Sequence, residues 1–137
     1  MRGCMANKIM IVDDEPDVVD LVKLVLKSEG YDVITAYSGR EALEKIGKDV
    51  PDLILLDIMM PQMDGWEVYQ RIRADPQTSK VPVAMLTAKS QSIDKMIGLH
   101  VVQVDDYITK PFGRAELLER VKKILKDKGK LEAAASR

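Results

Sequence analysis

The stretch Leu53–Glu67, LILLDIMMPQMDGWE, decides the fold of this chain. It runs four aliphatic residues into an aspartate, and then enters a loop that contains proline and glycine. An aliphatic run without polar alternation predicts a strand that is buried on both faces, as in a parallel sheet covered by helices. A buried strand that ends on a charge is unusual, so Asp57 is the first candidate for a functional residue.

Short apolar segments alternate with segments of helical spacing on both sides of this stretch. The predicted strands are Lys8–Val12, Asp32–Tyr37, Leu53–Leu56, Val83–Thr87 and Tyr107–Thr109. The predicted helices are Pro16–Glu29, one through Ala42, Leu43 and Ile46, one through Val68, Ile72 and Ala74, a weaker one over Ser92–His100, and Arg114–Lys126. Five strands alternating with five helices predict an α/β protein with an open, doubly wound parallel sheet.

Helix ends are marked by residues that satisfy free backbone groups. Pro16 suits a first helical turn, and Gly30 a C-terminal cap. Ser38 with Glu41 forms an S-x-x-E capping box, and Asp64 with Glu67 offers a second. The apolar face of the first helix is predicted to comprise Val18, Val19, Leu21, Val22, Val25 and Leu26. The methionines Met59, Met60 and Met85 are interpreted as core residues.

Composition excludes several classes of protein. The chain has 137 residues, 46% hydrophobic and 31% charged, which suits one globular domain. A formal net charge of −1 offers no basic patch, so we expect no direct nucleic-acid binding. One cysteine, Cys4, and the lack of a secretory signal or a membrane-length apolar run predict a cytoplasmic protein that does not enter membranes.

The two ends of the chain carry little pattern. Residues 1–7 are interpreted as an N-terminal extension and residues 128–137 as a C-terminal tail, either of which could be foreign to the natural chain. Residues 8–127 are then the predicted domain.

Polar side chains follow the strands at the edge where parallel sheets bind ligands. Asp13, Asp14 and Glu15 follow the first strand, Asp57 the third, Thr87 the fourth and Lys110 the fifth. If the first and third strands are neighbours, the aspartates crowd together, and like charges raise one another's pKa unless a cation intervenes. Oxygen ligands of this kind suit Mg²⁺. Such a pocket would also let Asp57 act as a nucleophile and accept a phosphoryl group, with Lys110 and Thr87 binding its oxygens.

Four motifs, IVDDEP, LILLDIMMPQMDG, VAMLTAK and DDYITKPF, occur in an order and spacing that resemble the receiver domain of two-component response regulators. The resemblance covers about Lys8 to Lys126. In motif style the chain is most similar to receivers of the winged-helix transcription-factor subfamily. The resemblance implies a flavodoxin-like (βα)5 fold with strand order 2-1-3-4-5.

It also implies a role for each matching residue. Asp57 is the expected phosphoacceptor, served by a sensor histidine kinase or phosphotransfer protein, with Lys110 and Thr87 beside the phosphoryl group. The expected Mg²⁺ ligands are Asp14 directly, Asp13 largely through water, Asp57, and the backbone carbonyl of Met59. Lys110–Pro111 is expected to be a cis peptide.

The family's switch would use Thr87 and Tyr107. On phosphorylation the threonine hydroxyl moves to the phosphoryl group and the aromatic ring turns inward, which alters the surface of the fourth helix, fifth strand and fifth helix. Charged residues on that surface resemble a dimerisation pattern and predict a phosphorylation-dependent homodimer: Asp105, Asp106, Glu116 and Arg120.

One segment departs from the family. The stretch GLHVVQVDDY lacks the usual Gly-Ala pair before the acidic pair and is one residue longer. This difference lies on the signalling surface, so it bears on Tyr107 and on dimerisation rather than on phosphorylation chemistry. His100, within it, is interpreted as structural.

Several of these motifs also have simpler interpretations or occur in other protein classes. Asp13 and Asp14 alone would suit a solvated helix cap, and Thr87 and Tyr107 alone an ordinary strand end and a half-buried aromatic. A haloacid-dehalogenase-type phosphatase needs an acid where Met59 stands, and a flavodoxin-like cofactor carrier needs a phosphate-binding loop where DDEPD would repel phosphate. The remaining alternative is a receiver-like module that is not phosphorylated and is switched by a protein partner.

Overall fold

The computed structural model describes residues 7–88 and 104–135, with side chains described to Gly129. Its strands are β1 (Lys8–Val12), β2 (Asp32–Ala36), β3 (Leu53–Asp57), β4 (Val83–Ala88) and β5 (Asp106–Lys110). Its helices are α1 (Pro16–Ser28), α2 (Gly39–Lys48), α3 (Gly65–Ala74) and the C-terminal helix α4 (Arg114–Ala135). The helix predicted over Ser92–His100 lies outside the described residues.

The five strands form one parallel sheet in the order β2-β1-β3-β4-β5. This confirms the predicted α/β fold and the strand order 2-1-3-4-5. The register pairs Val12 with Leu56, and Asp57 with Leu86. Residues that follow Val12 and Leu56 therefore lie side by side at the carboxyl edge of the sheet.

Helices cover both faces of the sheet, as the aliphatic strands require. All five residues of β3 are buried. On one face, side chains of α2 and α3 pack against the sheet, among them Ala42, Ile46, Trp66 and Ile72. On the other face, α1 and α4 contribute Val19, Leu26, Leu117 and Val121. Two apolar layers thus fix the central strand from both sides.

The predicted caps are largely confirmed. The Ser38 hydroxyl accepts a hydrogen bond from the Glu41 N–H at 3.1 Å, and the Glu41 carboxylate accepts one from Tyr37 N–H rather than from Ser38. The Asp64 carboxylate accepts from Glu67 N–H at 3.0 Å at the start of α3. Gly30 has a φ of 90°, the left-handed conformation typical of a residue that follows a helix.

The apolar face of α1 is narrower than predicted. Leu21 was assigned to it but is 52% exposed, whereas Val19, Val22, Val25 and Leu26 are buried. At about 100° per residue, Leu21 lies outside the part of the helix surface that these four buried side chains occupy.

The C-terminal helix extends beyond its predicted end at Lys126. Residues 128–135 continue α4 instead of leaving it, since the helix runs from Arg114 to Ala135. The sequence Leu131–Ala135, LEAAA, consists of strong helix formers, which explains the continuation. The Lys128 ammonium also lies 3.5 Å from an Asp52 carboxylate oxygen, near the start of β3. No helix within the described part of the chain is both long and apolar enough to cross a membrane.

Gly65 allows the start of α3 to pack against the end of β3. Its N–H donates to the Ile58 carbonyl at 2.8 Å. A Cβ at this position would lie 2.4 Å from the Asp57 carbonyl oxygen and 2.8 Å from the Ile58 Cα. Both are backbone atoms, so neither can move without shifting the strand end that carries Asp57.

We expect Gly65→Ala to lower the free energy of unfolding by about 1–3 kcal/mol through this overpacking. The matched control is Gly47→Ala within α2, where an added Cβ meets nothing within 4 Å. Removing a helical glycine there should raise stability by up to about 1 kcal/mol. Urea unfolding of both variants measures the difference, and equal effects would contradict the close-approach explanation.

Candidate functional site: an acidic pocket at the carboxyl edge

Three aspartates meet at the carboxyl edge of the sheet. Asp57 ends β3, while Asp13 and Asp14 follow β1 on the neighbouring strand. One carboxylate oxygen from each lies within 4.8 Å of the others. Asp13 and Asp57 are buried, whereas Asp14 is exposed. The pocket predicted from the residues that follow the strands therefore exists, with one open side at Asp14.

Lys110, at the end of β5, reaches across the pocket to both buried aspartates. Its ammonium lies 2.6 Å from the Asp13 Oδ2 and 3.7 Å from the Asp57 Oδ2. A third acid, Glu15, lies 3.5 Å from the same ammonium. The sequence places Glu15 beside the acidic pair but gave no reason to assign it to the site. Its contact with Lys110 arises only when β5 and the β1 loop come together.

The peptide bond Lys110–Pro111 is cis, as predicted.

The charges in this pocket are strongly coupled. The pKa of Asp57 is raised to about 7, chiefly by burial and then by the neighbouring charge of Asp13, while the charge of Lys110 and the hydrogen bond from the Met59 N–H oppose the rise. Burial alone would lower the pKa of Lys110, but its hydrogen bond to Asp13 and the charges of Asp57, Asp13 and Glu15 raise it above its ordinary value. One ammonium therefore does not offset the burial of the Asp57 carboxylate. The pocket is therefore short of positive charge.

Asp13 has its carboxylate oxygens occupied by protein donors. Oδ1 accepts from the Glu15 N–H at 2.9 Å, and Oδ2 accepts from Lys110 at 2.6 Å. Asp14, by contrast, is exposed at the pocket's open side. The two adjacent aspartates thus differ in how freely they can bind a ligand.

The loop after Asp57 turns back to α3 over a short distance. The Met59 N–H donates to the Asp57 Oδ1 at 3.1 Å, which orients that carboxylate. The Met59 side chain is 59% exposed, so its assignment to the core was wrong, whereas Met60 and Met85 are buried as predicted. Met59 lies in the loop between β3 and α3, two positions beyond Asp57, and its side chain projects outside the packed layers.

The predicted switch residues lie on adjacent strands. Thr87 in β4 is fully buried, and its hydroxyl has no hydrogen-bond partner among residues 7–88 and 104–135. Tyr107 in β5 pairs with Met85 and packs against the α2–α3 layer. Its hydroxyl is likewise buried and unpartnered within the described chain. A buried hydroxyl without a hydrogen bond lowers the stability of the folded protein. Such a group therefore calls for an explanation other than packing.

The donor set fits a hard divalent cation. Three carboxylate oxygens converge, one of them from an exposed residue, and the pocket has an excess of negative charge. Oxygen ligands with an open side suit Mg²⁺, which retains several waters when bound to proteins.

A buried aspartate thus ends the central strand of the sheet, with two further aspartates and a lysine around its carboxylate. The family model described as response regulator receiver domain matches residues 9–122. The chain therefore belongs to the receiver domain family of response regulators, and is part of a two-component signalling system.

Solved structures agree with this assignment. The N-terminal domain of a response regulator receiver protein from Methanoculleus marisnigri is 43% identical, with a TM-score of 0.69, and the match covers 88% of this chain and 98% of that one. The chemotaxis protein CheY4 of Vibrio cholerae is 33% identical, with a TM-score of 0.80 and coverage of 88% and 99%. NtrX of Brucella abortus is 32% identical, with a TM-score of 0.86 over 97% of this chain and 30% of that one.

The raised pKa of Asp57 predicts a pH-dependent stability for the metal-free protein. The group binds its proton more tightly in the folded state than in the unfolded state, where the ordinary value is 3.8. Stability should therefore fall as pH rises from about 4 to about 7, by on the order of 4 kcal/mol. Urea unfolding in a chelator-containing buffer at several pH values measures this slope.

Asp57→Asn should remove most of the slope and stabilise the metal-free protein at pH 8. The control is Asp20→Asn, an exposed aspartate on α1 that lies outside the acidic pocket. A slope that survives Asp57→Asn would show that another group carries it.

Proposed function

We propose that Asp57 accepts a phosphoryl group from a sensor histidine kinase or phosphotransfer protein, and that this event switches the receiver's signalling surface. The observation that carries the proposal is the position of Asp57, a buried carboxylate at the end of β3 with Lys110 3.7 Å away and two further acids beside it. A structural aspartate would be paired more fully, because burial of an uncompensated charge is costly.

The transfer forms a bond between an Asp57 carboxylate oxygen and phosphorus, while the bond between phosphorus and the donor's imidazole nitrogen breaks. The imidazole keeps the electron pair of that bond, and Asp57 becomes an acyl phosphate. Lys110 is placed to pair with the negative oxygens of the phosphoryl group. Thr87 supplies a buried hydroxyl that has no other partner in the described chain.

Asp13, Asp14, Asp57 and the Met59 carbonyl would hold Mg²⁺, which supplies charge neutralisation for the transferring group. Asp14 suits a direct ligand because it is exposed. Asp13 suits a contact through water because protein donors already occupy its oxygens. The Met59 N–H meanwhile holds the Asp57 carboxylate in position.

Thr87 and Tyr107 form the proposed switch. A phosphoryl group on Asp57 gives the Thr87 hydroxyl a strong acceptor, and the space that the hydroxyl leaves favours burial of the Tyr107 ring. The chain catalyses no conversion of an external substrate in this proposal. It promotes only its own phosphorylation and dephosphorylation, and we place it in the cytoplasm with its kinase.

An alternative function is switching by a protein partner. The receiver-like module that a protein partner switches without phosphorylation uses the same fold, but gives no role to the Asp57–Lys110 pair. The chain spans nearly all of the chemotaxis relative and less than a third of NtrX, so this fold occurs both alone and within longer proteins. We propose that this receiver controls an output domain or a separate protein partner.

Incubation with acetyl phosphate tests the phosphoacceptor. We expect one phosphoryl adduct in intact-mass spectra with Mg²⁺, and little or none with a chelator, because the pocket then lacks positive charge. Asp57→Asn should give no adduct. Asp20→Asn is the matched control and should behave like the unsubstituted chain. No adduct on any of these proteins would favour the partner-switched module.

A phosphorylation-dependent homodimer through β5 and α4 also stays a prediction, as does the winged-helix subfamily. Arg120 already donates to Asp106 within the chain at 2.7 Å, while Glu116 is exposed. We expect the phosphorylated chain to have twice its monomer mass in sedimentation equilibrium, and Asp57→Asn to remain monomeric after the same treatment. An unchanged mass on phosphorylation would exclude the dimer.

A further inference from the structure

Two arginines hold the start of β5 from opposite faces of the sheet. Arg120 of α4 donates to the Asp106 carboxylate at 2.7 Å and to the Tyr107 carbonyl at 3.3 Å. Arg73 of α3 donates to the Val81 carbonyl at 2.7 Å and lies 3.7 Å from the Asp105 carboxylate. The backbone of Tyr107 is therefore fixed, and the freedom left to this residue is that of its side chain.

An aromatic pair on α3 forms part of the layer against which Tyr107 packs. Trp66 and Tyr69 are both nearly fully buried and meet edge to face, with ring centroids 6.5 Å apart at 84°. The Arg73 guanidinium carbon lies 4.8 Å from the centroid of the Tyr69 ring, and its Nε donates to the Tyr69 hydroxyl at 3.2 Å. Tyr69 is therefore held on two sides by contacts that have nothing to do with the acidic pocket.

Tyr107 of β5 packs against the same apolar layer. Its ring packs on the cluster that contains Trp66 and Tyr69, and its hydroxyl is buried without a partner among the described residues. Burial raises the pKa of the Tyr107 phenol, and the neighbouring Tyr69 adds to the rise. Since none of the described residues gives the hydroxyl a hydrogen bond, we infer that ring packing supplies the stabilisation of this orientation.

We propose that Tyr69 is a positioning residue for the Tyr107 switch, providing the aromatic wall that stabilises the buried orientation of the Tyr107 ring. The inference rests on the proposed function, because it concerns the switch that Asp57 phosphorylation would drive. It adds α3 to the elements that set the switch equilibrium. Weakening the wall shifts Tyr107 towards solvent, and phosphorylation then has to overcome a larger difference between the two orientations.

The variants Tyr69→Leu and Tyr69→Phe separate the ring from its hydroxyl. Tyr69→Leu removes the aromatic wall, whereas Tyr69→Phe keeps the ring and its contact with Trp66 but loses the Arg73 bond. Tyr31→Leu is the matched control, since Tyr31 is a half-buried tyrosine in the layer on the opposite face of the sheet. Tyr107→Phe assigns the Tyr107 ring signals in spectra of chains labelled at tyrosine.

The readout is the solvent exposure of the Tyr107 ring, measured as relaxation enhancement by a soluble paramagnetic gadolinium chelate in NMR. We expect low enhancement in the unsubstituted chain, a several-fold increase in Tyr69→Leu, and values close to the original in Tyr69→Phe and Tyr31→Leu. A purely structural role for Tyr69 would lower the melting temperature without moving Tyr107. Unchanged Tyr107 exposure in a folded Tyr69→Leu would therefore overturn the inference.

A measurement on the unsubstituted chain covers the case in which Tyr69→Leu fails to fold. Ring-to-ring nuclear Overhauser contacts between Tyr69 and Tyr107 should be present, and their absence would also overturn the inference. Acetyl phosphate labelling of each variant keeps the two proposals apart. Normal labelling with unmoved Tyr107 would defeat the role of Tyr69 alone, whereas absent labelling of the unsubstituted chain would defeat the proposed phosphorylation.

Discussion

The contact between Lys110 and the two buried aspartates is the interaction on which the rest of the site depends. It joins the end of β5 to the ends of β1 and β3, across 97 residues of sequence between Lys110 and Asp13. Because all three groups lie at the edge of a sheet covered on both faces, water cannot replace any of them freely. Burial is therefore the largest cause of the raised pKa of Asp57, and the neighbouring charge of Asp13 is the second.

The pocket contains more negative than positive charge, so its carboxylates are not all paired with cations. Two buried carboxylates and an exposed one share a single ammonium. Such an arrangement costs stability in the folded protein, and it persists because the aliphatic layers above and below β3 stabilise the sheet independently of the edge. The Thr87 hydroxyl also lacks a partner within the described chain. In the proposed function, a metal ion and a phosphoryl group would supply the partners that these groups lack.

At β5, too, the backbone is held by several contacts while one side chain lacks a polar partner among the described residues. Asp105, Asp106 and the Tyr107 backbone are held by arginines from two helices, whereas the Tyr107 hydroxyl has no partner in the described chain. A side chain of this kind on a fixed backbone can have two orientations of similar free energy. A small change nearby can then shift the population from one orientation to the other. In the proposed switch, the aromatic pair on α3 would stabilise one of those orientations.

The sequence by itself determined the fold class and the principal members of the pocket. Uninterrupted aliphatic strands require a two-sided core, and parallel strands bring the residues after them to one edge, so Asp13, Asp57 and Lys110 followed from pattern alone. Tertiary structure decided what depends on relative position. It brings Glu15 to Lys110, gives both oxygens of Asp13 a protein donor while Asp14 is exposed, and leaves Met59 and Leu21 projecting outward. Local pattern records the spacing of side chains along an element, but it carries no information on which neighbour covers each one. That is also why Gly65 and Tyr69 had no visible role until β3, α3 and β5 were packed together.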